Sequence, residues 1–102
     1  MNTAHPDRFG DINRLIHEPA RLQIMAVLSA CSEADFKYLE TSTGLTPGNL
    51  SSHLTKLEAA GYIQILKGFR GKTPLTTVRI TKLGKKEFNH YIKQMREVWK
   101  TL

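Results

Sequence analysis

Cys31 is the one cysteine, so the chain can form no internal disulfide and no cysteine-rich metal site. The four histidines, His5, His17, His53 and His90, show no close ligand spacing, and neither a metal nor another cofactor is expected. There is no Gly-x-Ser-x-Gly elbow and no phosphate-cradling glycine loop, which argues against an enzyme. No apolar run is long enough to span a bilayer, and the polar start from Met1 to Asp7 carries no secretory signal. The expectation is a cytoplasmic protein with no membrane partner. Acid is missing from a long interval: no Asp or Glu lies between Glu58 and Glu87, which enclose Lys67, Arg70, Lys72, Arg79, Lys82, Lys85 and Lys86. With a net charge of +6 and a pI of about 9.7, the chain should attract polyanions, nucleic acid first among them. Its 102 residues suit a single domain, 1–102, with one core.

What is present centres on residues 46–61, which read as a helix marked at both ends. Thr46 can cap it, Pro47 suits the first helical position, and Gly61 can take the left-handed conformation that stops it. Leu50, Leu54 and Leu57 recur at i, i+4 and i+7 and make one apolar face. The opposite face carries Gly48, Asn49, Ser51, Ser52 and Thr55, followed by Lys56. Gly, Asn, Ser and Thr weaken a helix, so a face built from them has another use. Two readings stand side by side: close approach to a polar surface such as a DNA major groove, or capping chemistry at a helix start.

The elements around this helix follow in order. Met1–Arg8 reads as a loose tail, and Asp11 as the cap of a short helix with Ile12, Leu15 and Ile16 on one side. Pro19 opens a buried helix to Ala30; Cys31–Ala34 is a break with room for a short strand, and Cys31 reads as a buried, inert thiol. Glu33 and Asp35 read as acids capping the next helix, which runs to about Thr43 and ends at Gly44. Two helices joined by a short turn make a helix-turn-helix. After Gly61 the apolar period becomes two, with Ile63 and Ile65, then Val78 and Ile80, on two strands. Gly68–Pro74 reads as the loop between them, with Arg70 and Lys72 at its tip and Phe69 as an apolar anchor at its base. Arg79 should point outward. Thr81 caps a long final helix. The fold class is mainly α with a small β-hairpin: a winged helix-turn-helix with a C-terminal dimerisation helix.

The run Leu45–Ile63 resembles the recognition segment of small bacterial winged-helix transcriptional regulators related to the MarR and ArsR families. Pro19-Ala20-Arg21-Leu22, Lys72-Thr73-Pro74, Thr76–Thr81 and Gly84-Lys85 are similar as well, so the resemblance covers about residues 12 to 95. It implies a dimer on pseudo-palindromic double-stranded DNA. The paired cysteines of the metal-sensing ArsR proteins are absent. Thr46, Gly48, Asn49, Ser51, Ser52, Thr55 and Lys56 are the candidate contacts on the helix, and Arg70 and Lys72 those on the wing. Asn49 has the geometry for a bidentate contact to adenine, and the wing cations suit phosphate or the minor groove. His53, beside Leu50 and Leu57, reads as a structural histidine at the core edge. The competing class is a winged-helix protein-interaction module, which an acidic or apolar recognition face would favour. The operator and any small-molecule effector are not legible.

The final helix carries the dimer expectation. Phe88, Tyr91, Ile92, Met95, Val98, Trp99 and Leu102 fill positions a, d and e of a heptad without a break. A winged-helix core is closed without it, so this stripe, with Ile12, Leu15 and Ile16, is expected to pair two copies across residues 82–102. The alternative is a helix folded back on its own domain.

Overall fold

A computed structural model describes residues 11–102; the tail Met1–Arg8 and His5 lie outside the described residues. Helix α1 spans Pro19–Cys31, strand β1 Glu33–Asp35, helix α2 Phe36–Thr43 and helix α3 Pro47–Ala59. Strands β2, Ile63–Arg70, and β3, Thr73–Ile80, follow, and helix α4, Lys82–Lys100, closes the chain.

Each helix start is set by a side chain that satisfies an orphan amide. Glu18 accepts from the Arg21 amide, Asp35 from Tyr38, Thr46 from Asn49 and Thr81 from Gly84. Gly44 ends α2 in the left-handed region, at φ 71°.

The helix expected over Asp11–Ile16 does not form. The chain makes turns there, and Asn13 rather than Asp11 does the capping: its Oδ1 accepts from the amides of Leu15 (3.0 Å) and Ile16 (3.1 Å). Its Nδ2 donates to the Tyr62 hydroxyl at 2.8 Å. Pro19 forces the residue before it out of helical geometry, and Glu18 is extended at φ −153°, so no helix can run on into α1.

The sheet is antiparallel in the order β1-β3-β2. The hairpin is longer and its turn tighter than the glycines and proline suggest. Pairing runs without interruption from Ile63↔Ile80 to Arg70↔Thr73, leaving Gly71 and Lys72 as a two-residue turn with Gly71 at φ 62°. Pro74 is tolerated in β3 because it pairs with Phe69 near the hairpin end. Phe69 is therefore not an anchor at the base: it lies next to the tip, 73% exposed. Cys31 is also exposed rather than buried, its thiol donating to the Val27 carbonyl at 3.1 Å; it ends α1 where the helix leaves the core.

Ile24, Met25 and Leu28 of α1, Leu39 of α2, the three leucines of α3, and Ile63, Val78 and Ile80 of the sheet form one core. Ile16, Phe88 and Tyr91, expected at a dimer interface, belong to this same core, and Val98 is buried as well. The first half of α4 thus folds back on its own domain. The reason is steric: Gly84 lets the helix backbone approach the Tyr62 carbonyl so closely that no Cβ would fit. Ile92 and Met95 are half-buried against the core, whereas Trp99 is 64% and Leu102 93% exposed.

Candidate nucleic-acid interface

The leucine stripe of α3 fixes its rotation about its own axis. Leu50, Leu54 and Leu57 are fully buried, so Gly48, Asn49, Ser51, Ser52, Thr55 and Lys56 are all exposed. Two hydroxyls on this face are already engaged. Thr46 Oγ1 accepts from the Asn49 amide at 3.2 Å, and the Thr55 hydroxyl donates to the Ser51 carbonyl at 2.9 Å. Thr55 therefore meets a partner as an acceptor, while Ser51, Ser52 and the Asn49 amide group keep donors and acceptors for base edges or phosphates.

The wing is held at a set angle to this helix by Glu58. Its Oε2 accepts from the Ile65 amide at 3.0 Å, on the open side of β2, an edge strand. Between helix and wing runs an open groove lined by Phe36, Ser51, Leu54, Thr55, Glu58, Ile65, Lys67 and Thr76.

The register decides which wing cations look toward α3. Successive strand residues alternate between faces, and Ile63 and Ile65 point to the core. Lys67 and Phe69 share their face; Lys67 lines the groove beside Ser51 and Thr55. Sequence reasoning counted Lys67 only as one cation in a run. Continuing the period of two from Ile65 is the signal that finds it. Arg70 falls on the opposite face, 4.0 Å from Asp35 Oδ2, with its side chain 76% exposed. Such an exposed pair is worth about 0–1 kcal/mol, so it leaves Arg70 able to turn away. Lys72 stands exposed in the turn itself. Arg79 is exposed, as its alternation implies, and pairs with Glu33 at 2.9 Å.

On the flank of α3 away from the wing, His53 is half-buried, as a histidine at the core edge should be. Its Nδ1 lies 3.1 Å from Arg21 Nη1, and Arg21 Nε donates to the Leu15 carbonyl at 2.6 Å. The Glu18 carboxyl nearby is held below its ordinary range, chiefly by the Arg21 amide that donates to it, against the opposing effect of burial. Among the described residues no group of acids, histidines or cysteines could hold a metal ion, and no helix is long and apolar enough to cross a membrane.

A family model described as a winged helix DNA-binding domain matches residues 20–99. An uncharacterised protein of Methanocaldococcus jannaschii is 30% identical over 89 residues, 87% of this chain and 97% of that protein. The structure of a transcriptional regulator homologue from Pyrococcus horikoshii OT3 is 30% identical with a TM-score of 0.88, covering 93% of this chain and 96% of that one. More distant MarR and ArsR family regulators share the fold; the MarR protein from Silicibacter pomeroyi is 19% identical, with a TM-score of 0.65 over 89% of this chain and 66% of its own. The chain belongs to the winged helix DNA-binding domain family.

Proposed function

We propose that the protein is a cytoplasmic, sequence-specific transcriptional regulator that binds double-stranded DNA as a homodimer on a pseudo-palindromic operator. The observation that carries this is the exposed Gly48/Asn49/Ser51/Ser52/Thr55 face of α3, opposite a fully buried leucine stripe. A helix enters the major groove, and side chains of this size let it approach base edges closely. Asn49 and Ser52 read bases. Lys56 and Lys67 flank them, and Lys72 at the wing tip takes phosphate or the minor groove. The dimer supplies the geometry, setting two recognition helices about 34–36 Å apart. Exposed Trp99 near the end of α4 and Leu102 just beyond it, with half-buried Ile92 and Met95, support pairing through the second half of that helix. Half-buried Ile12 and Leu15 are the remaining candidates from the turn.

The test is a gel shift against fragments of the source genome at two salt concentrations, followed by Asn49→Ala and Lys72→Ala on the fragment bound best. Asn49→Ala should reduce discrimination against random DNA by about 1–3 kcal/mol. Lys72→Ala should weaken both DNAs and lower the salt slope by about 0.9. If no fragment is bound in a salt-sensitive way, the DNA reading falls and a protein-interaction module takes its place.

A further inference from the structure

We infer that Arg21 and His53 form a second phosphate-binding site, on the flank of α3 away from the wing. The inference rests on the DNA-binding reading and extends its contact set to two residues from different helices.

Hydrogen-bond chemistry fixes the histidine first. A guanidinium has only donors, so the 3.1 Å contact between Arg21 Nη1 and His53 Nδ1 makes Nδ1 the acceptor. The ring proton then sits on Nε2, at the other end of the ring. Arg21 itself is held in place by a second bond, from Nε to the Leu15 carbonyl at 2.6 Å. The ring is thus oriented from behind with one donor at its far end.

The charge comes second. Arg21 is half-buried, yet among the described residues no carboxylate forms an ion pair with it. Glu18, the nearest candidate, turns its carboxylate onto the Arg21 amide instead, at 2.8 Å. The two hydrogen bonds of the guanidinium go to a ring nitrogen and a carbonyl. The Glu18 carboxylate, its pKa lowered chiefly by the Arg21 amide, is near enough for the Arg21 charge to lower it further but does not pair with it, so Nη2 keeps donors to offer. A half-buried cation of this kind suits an anionic ligand, and a planar fork suits phosphate above all.

Position supplies the third argument. Asn49, His53 and Lys56 stand at i, i+4 and i+7 on one flank of α3, while Ser51 and Glu58 mark the flank toward the wing. A helix lying in a groove about 12 Å wide runs between two sugar–phosphate backbones. The wing and Lys67 serve one side; Arg21 and His53 serve the other. Two anchors on opposite flanks fix the rotation of α3 about its axis, which decides the bases that Asn49 and Ser52 meet.

Asparagine and glutamine separate the two ends of the ring. His53→Asn keeps an acceptor near the Nδ1 position for Arg21 but loses the outward donor. His53→Gln keeps a donor near the Nε2 position. Binding of a fluorescein-labelled 30-base-pair duplex of mixed sequence is measured by anisotropy across a salt series, with a thermal melt of each variant as the folding control. His53→Asn should bind about tenfold or more weakly, as loss of a hydrogen bond to a charged group implies, and His53→Gln should stay within about threefold of the parent by retaining that bond. Arg21→Gln should lower the salt slope by about 0.9. Parent-like binding by His53→Asn overturns the site, and so does equal weakening by both histidine variants, which would mark a structural role. If the parent itself shows no salt-sensitive binding to the duplex, the DNA reading fails and the site with it.

Discussion

Gly84 gives the sharpest test of how α4 is seated, because helix propensity and packing predict opposite signs for Gly84→Ala. Gly84 is the third residue of α4, its amide donating to Thr81 Oγ1 at 3.0 Å. On propensity alone, alanine should stabilise by about 1 kcal/mol. In place, however, the new Cβ would overlap the Tyr62 carbonyl oxygen and lie 3.0 Å from both Ile80 Cγ1 and the Tyr62 carbonyl carbon. That oxygen is backbone, and it accepts from the Thr81 amide at 3.0 Å, so it cannot rotate aside without opening the junction of β3 and α4. Overpacking ordinarily costs about 1–3 kcal/mol, and a backbone obstacle belongs at or above the upper end. Subtracting the propensity gain leaves a net loss of about 2 kcal/mol, which for a domain of this size lowers Tm by about 8–16 °C. Thermal melts followed by circular dichroism would measure it. Gly48→Ala is the matched control: it is also in the first turn of a helix, but nothing lies within 4 Å of an added Cβ, so stability should rise slightly. If Gly84→Ala melts at or above the parent temperature, α4 is not packed against Tyr62 and the account of its seating is wrong.

Leu54, 1% exposed, should cost about 2–5 kcal/mol as Leu54→Ala; an unchanged denaturation midpoint would mean that α3 is rotated differently. Sedimentation should show a dimer that Trp99→Glu disrupts, since that side chain is 64% exposed in one copy. A parent that sediments as a monomer at micromolar concentration removes the dimer, and a dimer indifferent to Trp99→Glu moves its interface elsewhere. Glu18 has a folded-state pKa below its unfolded value, chiefly because the Arg21 amide donates to its carboxylate. Its stabilisation is therefore present above that unfolded value and lost as pH falls through the lowered one. Glu18→Gln should flatten the acid limb of a stability–pH curve below that unfolded value, and an acid limb of unchanged slope would show that the cap contributes nothing.

Most of the fold was legible because it is written in local chemistry. Capping residues, a proline at the first turn, Gly44 and Gly61 in left-handed backbone, and a switch of apolar period from the helical to the strand spacing are all short-range signals. The exposed face of α3 followed from the same logic, since three leucines at helical spacing leave only one rotation that buries them all. The length of the hairpin was not legible. Gly68, Gly71 and Pro74 look alike as loop formers, and only cross-strand pairing shows that the chain needs a left-handed residue at Gly71 alone.

What the sequence alone determined about this protein is its element order, its helix faces and its charge; what tertiary structure decided is which surfaces those faces meet. The α4 stripe shows the difference. Periodicity marks Phe88 through Leu102 as one apolar seam, but cannot say whether a helix is covered by its own domain or by a second copy. The close approach at Gly84 lays the first half of the helix on the core, burying Phe88 and Tyr91, while α4 runs past that core and leaves Trp99 and Leu102 exposed. Arg21 and His53 stand 32 residues apart, and no pattern in the chain joins them. Their contact exists because α1 and α3 pack together in the core, and packing between distant segments is set by shape and burial rather than by any local preference of the residues that meet.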